Sequence, residues 1–514
     1  MNAAAEFVDD NVRAGRGANV AVIDGVTGAT LTYAQVLALV NRAGNALRDL
    51  GVGRGERVML LLPDGAPFIA GFFGAIKIGS VALPVNTLLK PHDYEYLLND
   101  SNARVLIVHE SLAGSIDPIR DRVKDLKHVV VVGSGRPSDL RFDDWCAGAS
   151  EDLDAVEMDR DDQAFWLYSS GTTGFPKGAM HLQHDMRCTA DWVGRGVFGI
   201  SERDRTFSVA KLFFAYGLGN ALYFPFSVGA STILYPAKPE PETCFKIIER
   251  HRPTIFYAVP TAYAAMLSAA ERSDRTYDLS SLRVCSSAGE PLPAALYERW
   301  KARFGVEIVD GIGSTEALHT FISNRPGRAR PGSSGELVHG YDARIVDGDG
   351  RDVPQGEIGD LLIKGDSICA GYWNQPEKTA ATIVGDWIRT GDKYSRDADG
   401  YFWYHGRSDD MLKSGGQWVS PAEVEAALVA HDAVLECGVV GREDAAGLVK
   451  PLAFVVLKTG RTASPELADE LKQFVKTRIA VYKCPRWIAF AGELPKTATG
   501  KIQRYKLREL AAER

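Results

Sequence analysis

Residues 168–178 read YSSGTTGFPKG, directly after the apolar run AFWL at 164–167. A stretch of strand length gives way to three glycines, four Ser and Thr side chains and one lysine. Such a segment cannot continue as a regular helix. Glycines let the backbone approach an anion, Ser and Thr donate hydrogen bonds, and Lys177 supplies a point charge. The composition suits a loop that cradles phosphate, and it also suits a solvated turn. The rest of the chain has to decide between the two.

At 514 residues the chain exceeds a single hydrophobic core, and length alone suggests roughly three domains. A hydrophobic content of 45% and a charged content of 24% are those of an ordinary globular protein. The net charge of -7 argues against a nucleic-acid partner, which requires a basic surface. The cysteines Cys146, Cys188, Cys244, Cys285, Cys369, Cys437 and Cys484 are scattered and form no CxxC pair. That pattern is expected of reduced thiols in a cytoplasm, not of a disulfide framework or a zinc site. The opening MNAAAEFVDDNVRAGRG carries acids and no apolar centre, unlike a secretory signal. The stretch FIAGFFGAIKIGSVALPV is interrupted by Lys77 and Pro84, so it reads as a buried helix and a strand, with no membrane partner.

From Val20 onward, strand and helix patterns alternate. In TYAQVLALVNRAGNALRDLG, Val36, Val40, Ala43, Leu47 and Leu50 recur at helical spacing; Thr32 and Gln35 form a capping box and Gly51 a stop. ERVMLLLP and ARVLIVH are unbroken apolar runs, as in strands buried on both faces. The alternation predicts a layered α/β structure with a largely parallel sheet. Near Gly406 the pattern breaks. A short strand, GYFWYHG, is followed by a charged link and a helix with Ser420 as cap, Pro421 in the first turn and Glu423 completing a capping box. The remainder reads as one small α+β unit.

No GxxxxGK[ST] and no GxGxxG after a strand occurs, which excludes the commonest nucleotide signatures. Five other stretches stand in order: YSSGTTGFPKG (168–178), DGIGSTEALH (310–319), RTGDK (389–393), GRSDDMLKSGG (406–416) and PKTATGK (495–501). Together they resemble the adenylate-forming superfamily of acyl-CoA synthetases, luciferases and peptide-synthetase adenylation domains, over nearly the whole chain. AKLFFAYGLGNALYFPFSVGA (210–230), SSAGEPLP (286–293) and STEALHTFISN (314–324) look most like the benzoate-CoA ligases.

The resemblance implies a large layered α/β N-terminal domain (1–407) and a smaller, mobile α+β C-terminal domain (408–514), with a hinge at Asp409. It implies ATP, Mg²⁺ and coenzyme A. Ser169, Ser170, Gly171, Thr172, Thr173, Gly174 and Lys177 would hold the β- and γ-phosphates. Thr315 would touch the α-phosphate, and Glu316 would ligand Mg²⁺, a hard cation that takes oxygen donors. Ser287, Ala288, Gly289, Glu290, Asp310 and Gly311 would line the adenine. Asp392 would accept hydrogen bonds from the ribose, and Arg407 would contact the nucleotide near the domain junction. Two orientations of the C-terminal domain would serve the two half-reactions: one presents Lys501 for adenylation, the other presents Gly415 and Gly416 to the pantetheine arm.

For the acid, Phe213, Phe214, Ala215, Tyr216 and Gly217 offer flat apolar walls, and His319 would sit near the carboxylate. Thr320 follows it where benzoate ligases of this type usually carry an aliphatic residue. An amino or hydroxyl group on the ring would pair with that hydroxyl, which favours 2-aminobenzoate or a hydroxybenzoate over benzoate. The expected activity is that of an AMP-forming aryl-CoA ligase. A stand-alone enzyme loading an aryl acid onto carrier-protein phosphopantetheine, and a non-catalytic nucleotide-binding regulator, are the alternatives. A homodimer and a lysine acetyltransferase or deacetylase acting on Lys501 are the expected macromolecular partners.

Overall fold

The computed structural model describes residues 1–169, 176–408, 410–414, 417–444, 449–496 and 502–513. Helix α1 (Tyr33–Asp49) begins where its cap predicts. The Gln35 amide donates to the Thr32 hydroxyl, and the Gln35 side chain accepts from the Thr32 amide at 2.8 Å. It ends before Gly51, whose φ of 73° favours a residue without Cβ. Val36, Val40, Ala43 and Leu47 form its buried stripe. Helix α2 (Ala66–Lys77) lies close against it: a Cβ on Gly74 would stand 3.0 Å from the Gly44 nitrogen.

Lys77, the residue that interrupts the most apolar stretch of the sequence, is wholly buried. Its Nζ lies 2.6 Å from Asp9 Oδ1 and 2.6 Å from Asn41 Oδ1, which ties the N-terminal segment to both helices. Among the described residues, no helix is long and apolar enough to cross a membrane.

Two large sheets carry the layered architecture. In the seven-stranded sheet the run His128–Val132, Val105–His109, Arg57–Leu61, Val81–Pro84 is parallel and continues into β1 (Gln163–Ser169). Its last strand, β2 (Lys177–Leu182), pairs with β1 antiparallel. In the nine-stranded sheet, Val20–Asp24, Ser231–Leu234, Arg205–Ser208, Ile255–Ala258, β3 (Val284–Ser287) and β4 (Ile308–Gly313) are parallel, and β5 (Thr320–Ser323) turns back along β4. One core joins both sheets, with Ala82 and Val105 from one and Tyr257 and Val309 from the other packed around α1 and α2. A third, antiparallel sheet contains β6 (Trp387–Arg396) and β7 (Phe402–Arg407).

Beyond β7 the chain builds a separate core around Val424, Val439, Val455 and Val475, on a sheet of Val434–Glu443, Val449–Leu457 and Trp487–Phe490. Two features there differ from the sequence reading. The expected plain link contains a hairpin, Leu412–Ser414 against Gln417–Val419. The capping box of α3 (Pro421–Val429) is half-formed: the Glu423 amide donates to Ser420 Oγ, but the Glu423 carboxylate reaches Lys483 at 2.6 Å. A lysine ammonium within reach outcompetes a neutral backbone amide for a carboxylate. The final helix, α4 (Arg504–Ala512), sends Arg504 to Glu425 at 2.6 Å and Arg508 to Asp410 at 2.7 Å.

The buried pair at Lys77 gives the first test. Asp9→Ala strands an ammonium in the core, and breaking a buried pair in this way costs about 3–5 kcal/mol. Urea unfolding followed by tryptophan fluorescence should show a lowered midpoint for Asp9→Ala and recovery when Lys77→Met is added. A double variant no better than the single would show that the pair does not carry this stability.

Candidate active site

The strands β1 and β2 bring Ser169 and Lys177 opposite each other. The hairpin they form is anchored on its outer side, where the Tyr168 hydroxyl donates to Asp100 at 2.7 Å and Trp166 stacks on Trp373 at 4.6 Å. Ser170, Gly171, Thr172, Thr173 and Gly174 lie outside the described residues. Lys177 and Ser169 converge with Glu316 through a residue absent from the sequence reading, Tyr372. The Lys177 ammonium sits 4.2 Å from the Tyr372 ring centre, and the Tyr372 hydroxyl donates to Glu316 Oε1 at 2.8 Å. Ser169 Oγ lies 3.4 Å from the same oxygen. Burial lowers the Lys177 pKa, and the Glu316 charge partly restores it. Burial, then the Glu316 charge, raises that of Tyr372, so the phenol stays a donor.

Thr315 and Glu316 stand in a tight turn between β4 and β5 that an isolated peptide would resist. Leu318 has φ of 66°, a left-handed conformation that costs a residue with Cβ about 1–2 kcal/mol. Groups from outside the turn hold it. His181 Nε2 lies 2.8 Å from the Thr315 carbonyl oxygen. The Cys369 amide donates to Glu316 O at 2.8 Å, and the Ser367 hydroxyl donates to Ala317 O at 3.0 Å. The sequence offered one signal for this support, the His181-x-x-x-Asp185 spacing; Ser367 and Tyr372 carried none.

Ser287 and Asp310 are the last register partners of the parallel pairing between β3 and β4, the carboxyl edge at which open α/β sheets bind ligands. Ala288, Gly289 and Glu290 continue from β3, and Gly311 follows Asp310. Ser287 Oγ and Asp310 Oδ1 are both buried and close to each other, and neither makes a hydrogen bond of good geometry among the described residues. Orphaned polar atoms of this kind call for a ligand, and a purine edge carries matching donors and acceptors. Burial raises the Asp310 pKa from 3.8 to about 8.

Asp392 on β6 pairs across the sheet with Arg407 on β7. Arg407 Nη1 reaches Asp392 Oδ1 at 3.1 Å and Thr390 O at 2.8 Å. Gly391 between them has φ of 74°, and a Cβ there would lie 2.6 Å from Arg407 Nη2. The carboxylate is therefore held by a fixed guanidinium, as suits an acceptor for two ribose hydroxyls.

The aromatic stretch lies beside these elements. Phe213 is buried in the core, whereas Phe214, Ala215 and Tyr216 keep part of their surface. Gly217 is forced by crowding, since a Cβ would fall 2.1 Å from the Lys211 carbonyl oxygen. The Tyr216 hydroxyl is 3.0 Å from Ser286 Oγ, which joins the aromatic stretch to β3. Its ring stands 5.5 Å from that of His319, and the Phe224 ring stands 4.6 Å from the same imidazole. His319 Nε2 meets Asn220 Oδ1 at 3.1 Å, and burial lowers the His319 pKa to about 3, so the imidazole is neutral. Thr320 is buried beside it, its methyl facing Gly311, and its hydroxyl bonds to none of the described residues. Asp409, Gly415, Gly416 and Lys501 lie outside the described residues. Lys496 and Ile502, on either side of the segment that contains Lys501, pair as an antiparallel bridge.

The sequence model described as "AMP-binding enzyme" matches residues 9–373, and that of the "AMP-binding enzyme C-terminal domain" matches residues 423–501. The chain belongs to the AMP-binding enzyme family. Among the relatives of this AMP-binding enzyme is the benzoate–CoA ligase of Thauera aromatica, 50% identical over 509 residues, which are 99% of this chain and 95% of the relative. A solved anthranilate CoA ligase, AuaEII, in complex with anthranoyl-AMP superposes with a TM-score of 0.95 at 48% identity, covering 100% of this chain and 98% of the other. A benzoate CoA ligase from Burkholderia xenovorans superposes with a TM-score of 0.91 at 46% identity, covering 99% and 100%.

The Asp310 carboxyl makes a pH prediction for the AMP-binding enzyme. Its folded pKa, about 8, lies above the ordinary 3.8. Between those values the folded chain keeps a proton that the unfolded chain has lost, so stability falls as pH rises, then levels off. Asp310→Asn removes this term. The melting temperature of wild type should drop relative to Asp310→Asn across that window and run parallel to it at higher pH; curves parallel throughout would contradict the assignment.

Proposed function

We propose that this protein is an AMP-forming aryl-CoA ligase. A benzoate-type carboxylate attacks the α-phosphorus of ATP, pyrophosphate leaves, and the thiol of coenzyme A displaces AMP from the resulting aryl-adenylate. The observation that carries this reading is the adjacency of two sites: an aromatic slot at Phe214–Gly217 and His319, joined through Tyr216 and Ser286 to the Ser287–Asp310 strand ends. A carboxylate is a poor acyl donor because its leaving group would be oxide, and adenylation supplies a better one. Both steps gather negative charge, so catalysis rests on positioning and charge stabilisation.

In this reading Lys177 and the hydroxyls of 169–173 bind the outer phosphates, and Thr315 binds the α-phosphate. Glu316 holds Mg²⁺, which screens the phosphate charge. Ser287–Glu290, Asp310 and Gly311 hold adenine, and Asp392 with Arg407 holds the ribose. Residues 1–407 form the domain that binds ATP and acid, and residues 408–514 form a lid that turns about Asp409. Lys501 serves adenylation, and Gly415–Gly416 let pantetheine approach. A cytoplasmic location, a homodimer, and silencing of adenylation by acetylation of Lys501 belong to the same reading. The aromatic rings gathered around His319 favour a ring over an aliphatic acid, and full-length similarity to benzoate and anthranilate ligases supports it.

Two experiments test the reading. Lys501→Ala should slow aryl-adenylate formation by about a hundredfold to a thousandfold, the cost of losing one charge-stabilising donor, yet still make thioester from pre-formed aryl-AMP. Asp409→Pro should likewise separate the half-reactions by trapping one lid orientation. Equal loss in both half-reactions would sink the two-orientation scheme.

The ring substituent is read at Thr320. Leaving its hydroxyl unpaired in an apolar slot costs about 1–3 kcal/mol, so an amino or hydroxyl group on the acid supplies its partner. With coenzyme A and no carrier protein, 2-aminobenzoate or a hydroxybenzoate should give a higher kcat/KM than benzoate. Thr320→Ile should shift the preference toward benzoate by about tenfold. An unchanged ranking would place substituent recognition elsewhere.

A further inference from the structure

His181 lies on β2, four residues after Lys177, so the two side chains leave the same face of the strand. Its ring is enclosed. Phe165 stacks on it at 5.1 Å and 19°, Nδ1 is 2.7 Å from Asp185 Oδ2, and Nε2 is 2.8 Å from the Thr315 carbonyl oxygen. A carbonyl and a carboxylate both only accept, so Nε2 carries a hydrogen toward Thr315 O and a second hydrogen is shared between Nδ1 and Asp185 Oδ2. The Leu182 amide also donates to Asp185 Oδ2 at 3.1 Å, and neither His181 nor Asp185 has any exposed side-chain surface. On the far side of Asp185, His184 Nε2 stands 3.4 Å from Oδ1 and 2.8 Å from the carbonyl oxygen of Asp366, next to the Ser367 that bonds Ala317. Asp185 thus braces His181, while His184 is held between the carbonyl oxygens of Arg160 and Asp366 at 2.7 and 2.8 Å, and each imidazole touches a segment that frames Glu316. The turn they hold contains the left-handed Leu318, so it needs support from outside.

We propose that His181, braced by Asp185, is a positioning residue for adenylation: it fixes the Thr315 carbonyl so that the Thr315 hydroxyl and Glu316 carboxylate face the triphosphate beside Lys177. The inference rests on the roles given to Thr315 and Glu316 above. The strand β2 is the mechanical link, since it begins at the lysine of the phosphate loop and carries the histidine that sets the opposite wall. An imidazole oriented by a carboxylate recurs wherever a donor must hold one direction, and outer-shell partners of this kind typically contribute about tenfold to a hundredfold.

The test uses the full chain and two readouts. His181→Phe keeps the stack on Phe165 and removes both N–H groups. It should lower aryl-acid-dependent ATP–pyrophosphate exchange by about tenfold to a hundredfold. It should also weaken Mg²⁺-dependent binding of α,β-methylene-ATP, measured by calorimetry, by about tenfold or more. The KM for coenzyme A should not change. His181→Gln, whose amide can still reach the Thr315 carbonyl, should recover part of both losses. If His181→Phe does not fold, Asp185→Asn and His181→Gln decide, with nucleotide binding reduced at an unchanged melting temperature. Unaltered binding and exchange in these variants would overturn the proposal, as would a loss of exchange that only tracks a loss of folded protein. Glu316→Gln, run in parallel, separates the two levels. If it too leaves exchange intact, the roles of Thr315 and Glu316 are wrong; if it alone is inactive, the positioning role of His181 is wrong.

Discussion

The Glu316 carboxylate is held by a phenol. A lysine or arginine in bonding contact would neutralise it and compete with any metal for its oxygens. Tyr372 instead donates one neutral hydrogen bond at 2.8 Å and leaves the charge in place. The same ring receives the Lys177 ammonium on its face at 4.2 Å, which keeps the cation near the carboxylate without a direct pair between them. Cation and anion are therefore both available to a third party, and a triphosphate with Mg²⁺ needs one of each.

Keeping those two charges apart and aimed requires rigid surroundings, and the fold supplies them from distant parts of the chain. Residues of β2, the turn after β4 and the segment 366–372 meet in one place, with Tyr372 bridged to Ala179 of β2. The carbonyls of 315, 316 and 317 are each bonded by a different residue outside the turn, which offsets the strain at Leu318. Asp310, paired in register with Ser287, lies on the strand β4 that leads into this turn. The aromatic slot completes the arc through the Tyr216–Ser286 contact. An acid lying in the slot and a nucleotide lying on the strand ends would meet near Thr315, where the account places the reacting phosphorus.

Local signals in the sequence located much of this. The capping box at Thr32 and Gln35, the stop at Gly51 and the apolar runs at 57–61 and 105–109 depend on neighbours a few residues apart, and all formed as read. The motif stretches marked Glu316, Asp310, Asp392 and Arg407, and the structure sets Asp392 against Arg407 and Glu316 against Ser169 and Lys177. What stayed hidden depends on contacts between remote segments. Tyr372 is an ordinary tyrosine until folding sets it beside Glu316, 56 positions away in the chain. Lys77 looked like a break in an apolar run, yet it is buried because Asp9 and Asn41 reach it. Glu423 matched a capping pattern, but a lysine 60 residues later claimed its carboxylate. The hairpin at 412–419 pairs two three-residue strands around paired glycines, too short for alternation to mark them.

The central claim is that the acid in the aromatic slot attacks the α-phosphorus of ATP held by the Thr315–Glu316 turn. The most direct measurement follows oxygen. With 2-aminobenzoate or benzoate labelled with ¹⁸O in both carboxylate oxygens, one turnover in the presence of ATP, Mg²⁺ and coenzyme A should leave one labelled oxygen in AMP, read by mass spectrometry, and none in pyrophosphate. Label in inorganic phosphate, or AMP free of label while aryl-CoA accumulates, would contradict the account.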